Sequence, residues 1–454
     1  MSEALTIGYL TSVYARVGDT FIRREVEQLR RLGHTVHTFS IRKPDPGELV
    51  TEEIRREYAG TEYILEAGAG TLALAGLRLA VFAPRKFLTA VGLVIRFVPP
   101  GIEKRWIRRI VYLLEGAYLA ERLAAKNVQH LHNHIGENSA LVSMLAAMFR
   151  GIPYSLTIHG PGEFDRPTLL ALDEKIRRAA FVVTISQFTR SQLLRWADYR
   201  DWSKIQVVYA GVSPMHLGHG PAPIPKAPRL VNIGRIVEQK GQVILIHAAA
   251  RLLERGYDFE LVIVSDGPMR GEIERLVDQL GLREHVRLTG YLDDQGVFGE
   301  ILAARALVLP SFAEGLPSVL LEAMALGRPV ITTSIAAHSE LIEPGINGWL
   351  IPAGAVEPLA EAMAEALTAE PAELEQMGRA GAARVAEQHN PETAVEKLRD
   401  LFLAGDATRS RAENIRAIVE PQQMQPRRLL RQLPLVRAVI RVERQSKLPG
   451  VNQL

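Results

Sequence analysis

The sequence predicts an α/β protein made of two doubly wound, Rossmann-like domains that face a central cleft. Short apolar runs alternate with helical patterns across residues 1–215, a glycine- and proline-rich stretch interrupts them, and the alternation then starts again. Runs of β-branched residues separated by helices imply parallel sheets covered on both faces. Ligands of such sheets sit beyond the carboxyl ends of the strands, here facing the cleft.

In the first domain, residues 6–10 read as a strand and 20–32 as an amphipathic helix with its charges on one face. Gly33 ends that helix, and 35–39 return as a strand. Strands at 128–132, 154–158, 181–185 and 205–209 follow, most of them spaced by helical stretches. Residues 216–228 hold Gly218, Gly220, Pro221, Pro223, Pro225 and Pro228 with almost no apolar periodicity, the mark of a linker. The second domain, 229–389, repeats the pattern with strands at 230–233, 260–264, 286–289, 306–309 and 329–332. A helix near 390–404 is expected to pack back on the first domain, and 405–454 form a basic tail.

At 454 residues the chain is long enough for two cores, and its 47% hydrophobic and 23% charged residues are ordinary for a globular protein. A net charge of +3 and a pI near 9.0 are too mild to argue for a nucleic-acid partner. The absence of cysteine excludes disulfides and thiolate metal sites. No basic region followed by an apolar run opens the chain, so no signal peptide is expected.

Residues 67–100 are the most apolar part, interrupted by Arg78, Arg85, Lys86 and Arg96. No uninterrupted stretch there approaches the ~20 residues of a membrane span. Core helices, or an apolar, basic-edged surface lying on a bilayer, both fit. In the tail, residues 427–431 and 435–441 mix arginine with apolar residues; either a loosely docked tail or a basic amphipathic anchor fits, and Pro434 argues against one unbroken helix.

The chemistry concentrates where the strand at 306–310 opens through a loop into a helix. Gly315 lets the backbone approach a ligand closely, Pro317 presets the first helical turn, and the free N–H groups of that turn suit phosphate. Glu314 and Glu322 flank that turn, where carboxylates accept hydroxyl protons from a sugar or ribose. Arg235 and Lys240 follow the first strand of the second domain and supply a fork and a point charge for a diphosphate.

In the first domain, His130, His132 and His134 alternate along one strand face, with Asn133 and Asn138 nearby; hydrogen bonding to donor or acceptor is favoured over a metal site. His159 precedes Gly160 and Pro161 on a cleft loop, and Glu163 is placed near an acceptor. No Asp-x-Asp triplet occurs, and Asp293 with Asp294 reads as a helix cap, so no metal or other cofactor is expected.

Arg235 with Lys240, residues 265–268, 289–291, 314–317, 322–325 and 347–352 together resemble the retaining family-4 glycosyltransferases of GT-B fold. Phe21 to Glu25, Gly33 with His34, and residues 157–164 are most similar to members that build bacterial exopolysaccharide, of the colanic-acid type. The resemblance covers roughly 6–403 and is absent from the tail.

It implies catalytic roles for Glu314, His159, Arg235 and Lys240. Arg235 and Lys240 would hold the donor diphosphate, Glu322 the ribose, Glu314 the donor sugar, and the turn at Gly315, Leu316, Pro317 and Ser318 the diphosphate or sugar. Tyr291 would meet the nucleobase, His159 the sugar from across the cleft, and His134, Asn138 and Glu163 the acceptor or sugar. The implied reaction is metal-independent, retaining transfer of a hexosyl unit from a UDP-sugar to a lipid-linked saccharide, in the cytoplasm or at the inner face of an anionic cytoplasmic membrane. A nucleotide-sugar epimerase and a nucleotide-sugar-binding scaffold are the rivals.

The chain departs from the pattern in three places. Residues 11–19 lack paired glycines, Ser265 stands where glycine is usual, and residues 336–338 replace a more glycine-rich loop.

Overall fold

A computed structural model of the protein describes residues 4–16, 18, 20–96 and 104–416. The arginine-rich stretches at 427–431 and 435–441 and Pro434 lie outside them, as do Val17, Asp19 and residues 97–103.

The β-branched and apolar runs form two wholly parallel sheets. The first holds Thr6–Val13 (β1), Thr35–Arg42 (β2), Glu62–Tyr63 (β3), His130–His134 (β4), Tyr154–Ile158 (β5), Val182–Thr184 (β6) and Ile205–Val207 (β7), in the order β3-β2-β1-β4-β5-β6-β7. The second holds Arg229–Ile233 (β8), Glu260–Val264 (β9), Val286–Gly290 (β10), Ala306–Leu309 (β11), Val330–Thr333 (β12) and Gly348–Ile351 (β13), in the order β10-β9-β8-β11-β12-β13. Each sheet reverses its winding once, between β1 and β4 and between β8 and β11. The carboxyl ends of those pairs are the crevices where such folds bind ligands.

The period-two alternation of β1 divides its side chains between two cores. Leu10 joins Phe39, Leu131 and Leu156 beneath the helices Lys104–Ala125 and Asn138–Arg150. Ile7 and Tyr9 face the other way, against Ile22, Val26 and Leu29 of the helix Thr20–Arg31. Val395, Leu398 and Phe402 of the helix Pro391–Arg416 complete that second layer, so the start of that helix covers the first sheet. The two passages between the sheets run side by side: Val212 N donates to His389 O at 2.9 Å, and His389 Nδ1 lies 2.9 Å from Ala210 O. Gly211 permits this crossing, since a Cβ there would come within 2.4 Å of Pro391 Cα.

Several elements differ from expectation. β4 begins at His130 because Asn127, at φ +53°, and the bond from Val128 N to Leu123 O close the preceding helix first. β3 and β13 were not expected as strands; β3 has only two residues, and β13 takes in residues 348–351 of the 347–352 run. The linker starts as a short helix, Pro214–His219, opened by a proline at its first position and closed by Gly220 at φ +70°.

Ile64–Phe82 is, among the described residues, long and apolar enough to cross a membrane by length and composition alone, although Glu66 and Arg78 interrupt it, as the sequence reading noted for Arg78. It is not one regular helix, because Gly68 at φ +80° separates a 3₁₀ turn from the helix Gly68–Phe82. Leu72 and Ala75 are buried in the first core, whereas Leu74, Leu77, Val81 and Phe82 are exposed.

Ser265, at the end of β9, donates its N–H to Gly290 O and adopts φ +120°, a conformation costly for any residue with a Cβ. Ser265→Gly is therefore expected to raise stability by about 1 kcal/mol. Urea unfolding checks this as a higher midpoint at unchanged slope.

Candidate functional site

The loops leaving β8 and β11 meet at the switch point of the second sheet. Asn232 ties the two strands by donating to Val308 O at 2.7 Å, and Phe312 N donates to Gln239 O at 2.8 Å. That pairing brings Lys240 Nζ within 2.5 Å of Glu314 Oε1, which also accepts from Ser311 Oγ at 2.7 Å. Arg235 is exposed, and no described residue hydrogen-bonds its guanidinium. A carboxylate held by an ammonium, with a free guanidinium on the same pair of loops, makes a wall suited to a diphosphate and a polyol.

The helix Ser318–Ala325 starts immediately after Pro317 and carries Glu322 half-buried at the cleft. Burial pushes the Glu322 carboxyl up to about 7; Arg24 from the first domain pulls it down and Asp294 adds a smaller push upward. Tyr291 is 71% exposed and follows Gly290 at φ +74°. Asp293 caps its helix by accepting from Gly296 N at 2.8 Å, as the sequence predicts.

On the opposite wall, the loop after β5 presses its backbone against Gly315. A Cβ on Gly315 would come within 1.9 Å of His159 O, so the close approach that glycine permits there is to the other domain's main chain. Glu163 is buried: Oε2 accepts from His159 N at 2.8 Å and from Gly160 N at 2.9 Å, while Oε1 accepts from Gly136 N. Burial pushes its carboxyl up and those three N–H groups pull it back. Instead of lying open to an acceptor, this carboxylate holds the His159 loop in place. Asn138 is exposed at the first turn of its helix.

His130 and His132 share Ser155 Oγ at 2.8 and 2.7 Å, and His132 Nε2 lies 2.9 Å from Thr157 Oγ1. His134 alone of the three reaches the cleft, bonded to Glu25 and His159 at 3.0 Å each. Glu25, His132 and His134 place possible ligand atoms within 4.8 Å of one another, yet every imidazole nitrogen among them already has a hydrogen-bond partner.

The helix Thr20–Arg31 thus contributes Arg24 and Glu25, to which the sequence reading gave no role. Glu340 was missed as well: from the second domain it accepts from Gln187 N at 2.8 Å and Phe188 N at 2.5 Å, the first turn of the helix Gln187–Leu194. Ser265 and Ala336, two of the noted departures, both sit at positive φ (+120° and +47°), where glycine carries no strain.

The family model described as Glycosyl transferases group 1 matches residues 221–384, and the one described as Glycosyltransferase Family 4 matches residues 18–215. An alpha-D-kanosaminyltransferase of Streptomyces kanamyceticus is 27% identical over 297 residues, 60% of this chain and 76% of its own. A Salmonella typhimurium glycosyltransferase named for colanic acid biosynthesis is 24% identical over 409 residues, 85% of this chain and 96% of its own. Among solved structures, Anabaena HepE in complex with UDP shares the fold, with a TM-score of 0.65 at 16% identity over 88% of this chain and 100% of that one.

Glu322 yields a pH prediction. Folded, it keeps its proton up to about pH 7; unfolded, it releases it near its ordinary value of 4.5. Between those values the folded state binds more protons, so this group's contribution to stability falls as pH rises and levels off above 7. Glu322→Gln should remove that decline. Urea unfolding of both proteins at pH 5 and pH 7.5 should show the variant gaining on the wild type at the higher pH.

Proposed function

Because the chain belongs to the glycosyltransferases of group 1 and family 4, and is related to those of exopolysaccharide synthesis, we propose that it moves a hexosyl unit, with retention, from a UDP-sugar to a lipid-linked saccharide. The observation that carries this is the Lys240–Glu314 contact at the β8/β11 switch point, with Arg235, which no described residue hydrogen-bonds through its guanidinium, on the same loop as Lys240. Arg235, Lys240 and the turn at Gly315, Leu316, Pro317 and Ser318 bind the diphosphate. Glu322 holds the ribose, Tyr291 the base, and Glu314 the donor sugar, with His159 opposite.

As the glycosidic bond breaks, negative charge grows on the departing phosphate oxygens. A preorganised guanidinium, ammonium and helix N-terminus stabilise that charge more in the transition state than in the ground state. They supply what a divalent ion supplies elsewhere, so the reaction proceeds without a metal. The departing phosphate guides the acceptor hydroxyl to the same face of the sugar, which gives retention. UDP in the structure of HepE, which shares this fold, supports the choice of nucleotide.

A lipid-linked acceptor, and with it a peripheral position on the membrane, is supported by the exposed row Leu74, Leu77, Val81 and Phe82. Residues 68–96, which include that row, carry Arg78, Arg85, Lys86 and Arg96 and no acidic residue. Such a surface is drawn to anionic lipid.

Two experiments test these assignments. UDP at about 100 times its dissociation constant should stabilise the protein by ~2.7 kcal/mol. GDP, ADP and dTDP should not, and Arg235→Ala/Lys240→Ala should lose the effect; a thermal shift confined to another nucleotide would replace UDP, and none at all would remove the donor site. Separately, the protein should float with vesicles of phosphatidylglycerol but not phosphatidylcholine. Leu77→Ser/Phe82→Ser should cut that binding at least about tenfold, following the apolar area withdrawn.

A further inference from the structure

His159 is tied into a line of polar groups that runs back through its own domain. Tyr9 Oη donates to Glu25 Oε1 at 2.6 Å, and His134 Nε2 lies 3.0 Å from that same oxygen. His134 Nδ1 then lies 3.0 Å from His159 Nε2. Tyr9 and His134 are buried, Glu25 and His159 half-buried. Phe21 packs its ring 4.9 Å from that of His159, and Tyr9 its ring 5.7 Å from that of His134, which restricts both imidazoles.

The line has a direction. An ionised carboxylate only accepts hydrogen bonds, so His134 must carry its proton on Nε2. A neutral imidazole protonated there offers a lone pair at Nδ1, so His159 must bring a proton on its own Nε2. Nδ1 of His159 is then bare, and no described residue hydrogen-bonds it.

With His159 facing the donor as proposed above, on which this rests, we infer that Tyr9, Glu25 and His134 are positioning residues that fix the tautomer of His159, so that its Nδ1 accepts a hydrogen bond from a hydroxyl of the transferred sugar. Burial and the neighbouring His134 hold the His159 imidazole well below the ordinary histidine value, which keeps it neutral and able to accept. A bare acceptor buried against a sugar selects an O–H and discriminates against a fluoro or methoxy group at that carbon, because neither offers a proton. The specificity of the pocket therefore depends on a carboxylate that touches neither substrate.

The test reads the tautomers directly. In the full-length protein labelled with ¹⁵N-histidine, long-range ¹H–¹⁵N correlation spectra distinguish protonated from bare ring nitrogens, and His134→Gln and His159→Gln assign the signals. Both His134 and His159 should be Nε2–H in the wild type. Glu25→Ala removes the acceptor that holds the His134 proton on Nε2, so it should release His159 toward Nδ1–H and lower kcat/KM for the donor about tenfold, the loss of one hydrogen bond. UDP affinity should stay within about twofold, since the nucleotide lies elsewhere. In His134→Gln the amide can donate to Glu25 and accept from His159, so His159 should remain Nε2–H.

A wild-type His159 protonated on Nδ1, as an imidazolium at His134 would require, overturns the inference. So does a His159 tautomer that Glu25→Ala leaves unmoved. A protein with the expected tautomers that binds no UDP overturns the donor assignment and not the relay.

Discussion

A Cβ on Gly315 would come within 1.9 Å of the His159 carbonyl oxygen, so the two walls of the cleft meet main chain to main chain. Gly160 shares the contact, its own Cβ position lying 3.3 Å from Gly315 N. Nearby, Glu340 reaches from the second domain to cap the helix Gln187–Leu194 of the first, placing a negative charge on the positive end of a helix dipole. The paired passages at Val212 and His389 fix the two sheets at a third point. Every side chain proposed to act across the cleft is set by these backbone-level contacts. The distance between the His159 and Glu314 loops then follows from glycines and a cap, not from flexible side chains.

Within the first domain, the same loop is fixed from behind by charge that never meets solvent. Glu163 spends its carboxylate on the N–H groups of Gly136, His159 and Gly160. Lys175, buried beside it, donates to Gly136 O and Glu137 O at 2.7 Å each. Burial draws the Lys175 ammonium down to about 7 and pushes the Glu163 carboxyl up, so the pair costs desolvation on both sides. That cost is offset by hydrogen bonds to two loops whose buried N–H and C=O groups would otherwise be left unpaired. The return is rigidity in the His159 loop.

The alternation of apolar runs with helical patterns was enough to read the two sheets, because a parallel strand buried on both faces leaves a dense β-branched signal. Elements that failed to register had no such signal: β3 is two residues long, and the helix Pro214–His219 hides in a segment rich in glycine. In the site, Arg235, Lys240, Glu314 and Glu322 were legible because each stands close after a strand end, beside glycine or proline. Arg24, Glu25 and Glu340 were not, since on a helix face a charge looks like a solvated one until another strand, loop or domain is laid against it. Glu163 was read as a contact to the acceptor or sugar, and it binds its own loop's backbone, because sequence spacing cannot tell a carboxylate facing a ligand from one facing its own backbone.

The resting partner of Lys240 bears on how the site would handle charge. Its ammonium lies 2.5 Å from a Glu314 oxygen that also accepts from Ser311 Oγ, in a wall where both residues are mostly shielded from water. In the proposed reaction a diphosphate would share this ammonium with Glu314, whereas the exposed Arg235 would have no rival partner to give up. In that reading the two cations are unequal: Arg235 would hold the diphosphate throughout, including as charge grows on it, and Lys240 would shift toward phosphate as that charge develops. A shift of that kind weakens the hold on Glu314 at the moment when the sugar carbon becomes electron-poor and profits from a nearby carboxylate. In the proposed reaction one ammonium shared between two anions would thus link the stabilisation of the leaving group to that of the sugar.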